Sequence, residues 1–199
     1  MILTFLIQYI NMKKKTERYN FNKDIHLDVV ASHEELLLTS ALNDILFEDG
    51  NVVATNRHAL VVAPIDAISN LRGIDIMKLE GERLNYKLFK ILLKYNKILS
   101  IDDIGIEVTN DDSYTIKLKF TKNGMKYPNY KNLFNDLGNK KTCNRISFDS
   151  GTLNDICYSV GHNDPILKYN GRSQPLSISF IDSKIKGLLC LGYLDDYTL

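Results

Sequence analysis

Cysteine is scarce in this chain. Its three residues, Cys143, Cys157 and Cys190, lie far apart and form no CxxC pair. An odd count at such spacing excludes a disulfide framework and a cysteine-based zinc site, and free thiols fit a reducing, cytoplasmic setting. The four histidines, His26, His33, His58 and His162, are equally scattered, so neither metal nor cofactor is expected. An excess of one charge is also missing. The 25 basic and 24 acidic residues leave a formal net charge of +1, which argues against coating nucleic acid by bulk charge and leaves room only for a local basic face. No apolar run is long enough to span a bilayer. Residues 1–10 are apolar, but Lys13, Lys14 and Lys15 follow them, the reverse of signal-peptide order. Met12 opens a more ordinary beginning. Residues 1–23 therefore read either as an over-extended start or as a short element docking on the body.

Catalytic signatures are absent as well. There is no GxSxG, P-loop, GxGxxG or HExxH. The adjacent acids Asp102-Asp103, Asp111-Asp112 and Asp195-Asp196 point to opposite faces if extended, so they do not converge on a metal or substrate and suit turns better. His58 beside Arg57 and Thr55 has no nearby base or metal partner. A non-catalytic protein is expected.

What is present is a globular composition, 44% hydrophobic and 25% charged over 199 residues, enough for a sizeable core in one or two domains. The chain is strand-rich. Residues 24–30 alternate apolar and polar and predict a strand. Ser32 and the acids after it predict a short helix to Leu38. Strands are predicted over 42–47, 51–55 and 59–63, with Asp49-Gly50 a hairpin turn. After a connection over 64–73, a helix is predicted over 85–98, then strands over 105–109 and 114–120, with Asn123-Gly124 a further hairpin turn. Pro128 takes the chain out of the sheet. Residues 135–141 are polar and read as a linker. Strand 145–148, helix 152–160 and strands 166–169, 176–181 and 185–191 complete the chain. Strand, helix and three hairpin-linked strands thus recur over about 76–130 and 144–194, with a weaker copy over 24–66. The fold class is α+β, built of βαβββ units.

The predicted helix over 85–98 is the most informative stretch. Lys87, Lys90, Lys94 and Lys97 are spaced by three, four and three, which puts them on one helical face. Leu84, Leu88, Ile91, Tyr95 and Ile98 recur on another and predict the buried face. The stripe contains no acid. A polyanion would relieve the repulsion among its lysines, and contacts to phosphate would be salt-sensitive and indifferent to sequence. A solvated lysine face is the plainer alternative.

Three stretches together resemble the β subunit of bacterial DNA polymerase III, the DNA sliding clamp. Residues 54–60, Ala-Thr-Asn-Arg-His-Ala-Leu, follow a hairpin as the family's A-T-D-G-H-R-L does. Asn56, Arg57 and Ala59 depart from that pattern. Residues 126–131, Lys-Tyr-Pro-Asn-Tyr-Lys, are similar to F-P-D-Y-R-R. Residues 186–191, Lys-Gly-Leu-Leu-Cys-Leu, are similar to the closing G-L-L-M-P segment. Their order along the chain carries more than any single match.

The resemblance covers about 24–194 and implies the clamp's processivity fold, with helices on one side of a continuous antiparallel sheet. It divides the chain into an extension over 1–23, a complete clamp-like domain over 24–134 and a partial one over 135–199. In the family the helices line a hole that encircles duplex DNA. The outer surface holds short hydrophobic peptides of polymerases and repair proteins. Carried over, the DNA-facing residues are Lys87, Lys90, Lys94 and Lys97, and the peptide-binding residues are Thr55, His58, Leu60, Leu188 and Cys190. Buried sheet core is the plainer reading of Leu60, Leu188 and Cys190. The segment 149–160 has two acids and no lysine or arginine, which departs from a uniformly basic channel. The expected function is that of a DNA-replication accessory that associates with duplex DNA and tethers a polymerase or another protein carrying a clamp-binding motif. Three half-domains cannot close a ring, so a homo-oligomer is expected. The alternative is a non-encircling module that recognises clamp-binding peptides or a host clamp.

Overall fold

The computed structural model describes residues 19–31, 41–110, 114–135, 137, 146–171 and 174–191. Its architecture starts from one tight hairpin. Strand β1 (Asp44–Glu48) turns into β2 (Asn51–Thr55) through Asp49 and Gly50, both at positive φ, 50° and 69°. Two left-handed residues in a two-residue loop match the right-handed twist of the flanking strands, and Asp-Gly adopts that turn at low cost. A second corner leads to β3 (Ala59–Pro64). There the Asn56 side-chain oxygen accepts hydrogen bonds from His58 N at 3.0 Å and Ala59 N at 2.8 Å, with Arg57 at φ 81°.

Helix α1 (Ile65–Ile68) and helix α2 (Ile74–Leu79) follow, then β4 (Arg83–Asn85), which returns to pair antiparallel with β1. Helix α3 (Tyr86–Tyr95) leads to the meander β5 (Ile98–Ile101), β6 (Gly105–Asn110) and β7 (Tyr114–Lys119). Helix α4 (Tyr130–Asn135) and helix α5 (Ser150–Ser159) precede β8 (Pro165–Lys168), β9 (Leu176–Phe180) and β10 (Lys186–Leu189). One sheet has seven strands in the order β4-β1-β2-β3-β10-β9-β8, and the other has three in the order β5-β6-β7. The pairing of β3 with β10 joins the first hairpins to the last ones, so elements over a hundred residues apart form one antiparallel sheet.

Strand periodicity sorts side chains to the two faces of the large sheet. Ile45, Phe47, Val52, Ala54, Val61 and Leu189 face the main core, together with Phe89 and Leu92 of α3 and Ile156 of α5. Both helices therefore lie on the same side of the sheet. Phe89 is fully buried against Phe21 and Phe47, with ring centroids 5.7 and 6.4 Å away. The alternate positions Leu46, Val53, Leu60 and Leu188 form a second cluster on the opposite face, covered by Tyr130 of α4 with Tyr127, Phe134 and Leu137.

Several expectations change. Residues 24–30 form no strand; Leu27–Val29 is a 3-10 turn in contact with both α3 and α5. The alternation there reflects Ile25 and Leu27 burying into the shared core, with no ladder partner involved. The extended backbone comes earlier, in bridges from Tyr19 to Ile98 and from Phe21 to Ser69. Asn96 fixes that segment, accepting from Phe21 N and donating to Phe21 O, both at 2.7 Å. The last residues of the expected extension thus belong to the body. Asn123-Gly124 makes no hairpin, because Asn123 accepts from Arg83 Nη2 at 2.6 Å and holds the chain against β4. Residues 146–148 form no strand. Helices α1, α2 and α4 and strand β5 were not expected, whereas β4 falls where the unit over 76–130 has its first strand. The predicted helix after Ser32, Cys143, His33, Asp111-Asp112, Asp195-Asp196 and most of the linker lie outside the described residues. No helix among the described residues is long and apolar enough to cross a membrane.

Two outcomes test this packing. Phe89→Ala should lower stability by about 3–5 kcal/mol, whereas the exposed Lys90→Ala should stay within about 0.5 kcal/mol in urea unfolding. Asp149 caps α5, accepting from Gly151 N at 2.9 Å and from the Thr152 hydroxyl at 2.7 Å. These bonds, the Thr152 bond foremost, hold its carboxyl below the usual carboxylate range. A lowered folded-state value makes the cap's contribution complete above the unfolded carboxylate range and lost as pH falls through the folded one. Asp149→Ala should therefore destabilise the protein at neutral pH and show a shallower loss of stability on acidification.

Candidate functional site

Two surfaces carry the residues singled out by sequence. The first is the outward face of α3. Asn85 caps this helix, its side chain accepting from Lys87 N at 3.1 Å, and Asn96 ends it in the left-handed region at φ 47°. Lys87, Lys90 and Lys94 are exposed, on the side of the helix opposite Phe89 and Leu92. The buried face is thus centred on Phe89 and Leu92, with Leu88, Ile91 and Tyr95 half-buried at its margins. Leu84 and Ile98 lie in strands. Lys97 lies beyond the left-handed Asn96 and is half-buried, so helical spacing no longer places it with the other three. Helix α5 lies on the same side of the sheet and carries no lysine or arginine. Its exposed Tyr158 stacks on His26, ring centroids 4.6 Å apart and planes 6° from parallel.

The second surface lies where the β2–β3 corner meets the end of β10. The fold brings Thr55, His58, Leu60, Leu188 and Cys190 together there. Thr55 stands opposite Leu60, and Leu60 opposite Leu188. The Thr55 hydroxyl donates to Ala59 O at 2.7 Å. Cys190 N donates to His58 O at 2.8 Å, and its thiol donates to Arg57 O at 3.3 Å. His58 and Cys190 are exposed, whereas Leu60 and Leu188 are each only 3% exposed. The two leucines therefore floor the surface without opening onto it.

What buries them was not anticipated. Tyr130 is 5% exposed and packs in the same cluster, with Leu46 and Val53. Burial foremost, with Glu48 adding to it, pushes the Tyr130 phenol up to about 12. The Tyr127 hydroxyl donates to Val53 O at 3.3 Å, and burial raises it too. Lys131 reaches Glu48 at 3.1 Å and also pairs with Asp49, which raises the lysine. Leu46 and Val53 are legible in retrospect as the strand positions out of phase with the main core. Nothing local in the sequence said that α4 would cover them.

The acids behave as turn and core residues. The Asp102 carboxylate caps its own turn, accepting from Ile104 N at 3.0 Å and Gly105 N at 3.1 Å. Asp44 is buried 3.8 Å from Arg83 and accepts from the Thr121 hydroxyl at 3.1 Å. Burial pushes its carboxyl up in spite of both neighbours. Among the described residues, no group of three or more potential metal ligands converges.

Comparison with known proteins adds the fold's relatives. No family model and no curated protein matches the chain. Solved structures do. The sliding clamp (DNA polymerase III subunit beta) of Bartonella birtlesii, bound to griselimycin, is similar at TM-score 0.60 and 16% identity, over 92% of this chain and 68% of that one. The Pseudomonas aeruginosa DNA polymerase sliding clamp is similar at 0.58 and 13%, over 92% and 68%. The Thermotoga maritima DNA polymerase III beta subunit is similar at 0.54 and 11%, over 91% and 66%. The chain spans about two thirds of the length of these neighbours. A seven-stranded antiparallel sheet with α3 and α5 on one side, matched at this level, is the sliding-clamp fold.

Proposed function

We propose that this chain is a clamp-like accessory of DNA replication that acts without catalysis. It associates with duplex DNA without sequence preference and tethers polymerase or repair partners. The observation that carries the reading is the exposed row Lys87, Lys90 and Lys94, standing on the helix side of a sheet with the sliding-clamp fold. The sheet anchors α3 through Phe89 and Leu92, so the three ammonium groups project away from the core. Lysine is a mobile point charge with no bidentate fork for a base edge, which suits contact with a phosphate backbone and not with sequence. The chain, read as one complete unit over 24–134 and a partial one over 135–199, spans about two thirds of its neighbours. On this reading the chain encircles DNA by self-association.

A second reading is a non-encircling module that binds clamp-binding peptides or a clamp. The absence of cations on α5 favours it, because only one of the two helices then offers charge to DNA. Here Thr55, His58, Leu60, Leu188 and Cys190 form the peptide site, with the exposed His58 and Cys190 at its rim.

Salt dependence separates the two. Each phosphate neutralised steepens the fall of log affinity with log salt by about 0.9, so changing Lys87, Lys90 and Lys94 to glutamine should flatten the slope by roughly 2.7 with the fold intact. Wild type without salt-sensitive DNA binding at low ionic strength would remove the clamp reading. Mass in solution gives an independent measure, a ring-sized oligomer supporting the clamp and a monomer the module. A clamp-binding peptide should bind wild type near micromolar affinity, about 8 kcal/mol, and bind His58→Ala more weakly. An unchanged affinity in that folded variant would exclude His58 from the site.

A further inference from the structure

Asparagine precedes glycine twice in this chain, at Asn123-Gly124 and Asn170-Gly171, and the fold treats the two sites in opposite ways. The pairing matters chemically. A glycine amide has no Cβ beside it, so its nitrogen can reach the carbonyl carbon of the preceding asparagine side chain and close a succinimide ring. Asn170 is shielded from that reaction. It is 1% exposed, and its side-chain nitrogen donates to Pro175 O at 2.8 Å and to Ser177 Oγ at 2.7 Å. The nitrogen that would have to leave is held, and water is kept out.

Asn123 is placed for the reaction. Asn123 and Gly124 are both exposed, in a stretch without regular structure. A side-chain carbon on Gly124 would meet nothing within 4 Å, so the space around the glycine is open. The Asn123 side-chain oxygen accepts from Arg83 Nη2 at 2.6 Å and from Met125 N at 3.2 Å. Both donors meet the atom on which negative charge develops when the carbonyl carbon is attacked, and donors so placed stabilise an oxyanion. Arg83 also has capacity to spare. It lies 3.8 Å from Asp44, yet Arg83 Nη1 and Asp44 Oδ2 have no hydrogen-bond partner among the described residues. A carboxylate at position 123 would offer this buried cation a charged acceptor in place of an amide.

We propose that Asn123 is a self-modification site, at which the folded chain converts the side-chain amide to a carboxylate that pairs with Arg83. The Gly124 nitrogen bonds to the Asn123 side-chain carbonyl carbon and the bond from that carbon to the side-chain nitrogen breaks. The proton of the Gly124 amide passes through water to the departing nitrogen, which leaves as ammonia. Water then opens the succinimide at either carbonyl, giving aspartate or isoaspartate. No electrons are transferred, and water is the only co-reactant. Either product sets a negative charge beside Arg83 and competes with Asp44 for it. The modification thereby changes the contacts that hold the loop over 120–129 against β1 and β4. It is independent of DNA binding by α3 and of any peptide site.

Peptide mass mapping of the full chain held at neutral pH tests the proposal. Position 123 should convert in the folded protein while position 170 keeps its amide. In urea, where neither environment persists, the two positions should convert at equal rates. Arg83→Gln should slow conversion at 123 about tenfold, the effect of one charged hydrogen bond at an exposed site. If that variant proves unfolded by circular dichroism, Arg83→Lys replaces it, with a smaller slowing in the same direction. Asn123→Asp supplies the product directly. Its urea midpoint should fall more steeply than that of wild type on acidification, as a carboxylate paired with Arg83 requires. Equal behaviour of positions 123 and 170 in the folded chain, a wild-type rate in the folded Arg83 variant, or a wild-type pH response of Asn123→Asp would overturn the proposal.

Discussion

The antiparallel pairing of β3 with β10 is the contact on which the rest of the molecule depends. It sets Leu60 against Leu188 and Val61 against Gly187, and so makes a single sheet from hairpins at the two ends of the chain. Once the sheet is single, its two faces are common property. Helices α3 and α5 must then cover one core from the same side, and α4 must meet the other side. Gly187 shows how closely this is fitted. A side-chain carbon there would come within 3.2 Å of Leu60 O and 3.4 Å of Ile156, the residue by which α5 seats on the sheet. Glycine at this position lets helix and sheet approach each other across the seam.

The seam also explains how two chemically different surfaces arise from modest material. On the helix side, the core takes Phe89 and Leu92 and leaves the lysines of α3 outward. The same side of α5 has no cation and shows the stacked pair of Tyr158 and His26. On the outer side, positions out of phase with the main core form a second apolar cluster, which Tyr130 and its neighbours seal. The acids at the β1–β2 turn then take Lys131.

Burial of polar groups follows the same division. Asn96 satisfies both backbone groups of Phe21 and ties the start of the described chain to the end of α3. Asp44 and Arg83 hold the loop after β7 against β1 and β4 through Thr121 and Asn123. A buried ion pair of this kind is costly to desolvate, and its worth lies in the specific partners it selects more than in net stability. That loop leads into α4, so the buried pair helps to fix where the cover of the outer face begins.

Local signals settled much of this fold. Asp49-Gly50 names its turn because two adjacent left-handed residues have few other solutions. Period-two alternation located β6 and β7, and the turns at Asp49-Gly50 and Asn56-Arg57-His58 located β2 and β3, which are buried on both faces. Asn85, followed by the lysine spacing, located α3, and the α+β class and the clamp-like order of elements were legible from these. Tertiary structure decided the rest. Residues 24–30 alternate like a strand but have no ladder neighbour, so they turn between two helices. Lys97 leaves the stripe because Asn96 finds its partner in Phe21, seventy-five residues away. The sequence leaves Leu60 and Leu188 open between peptide site and buried sheet core, and only the arrival of Tyr130 across the sheet determines that they are covered. Alternation tells which side chains share a face, but which segment lies over that face is a non-local choice that no short stretch of sequence encodes.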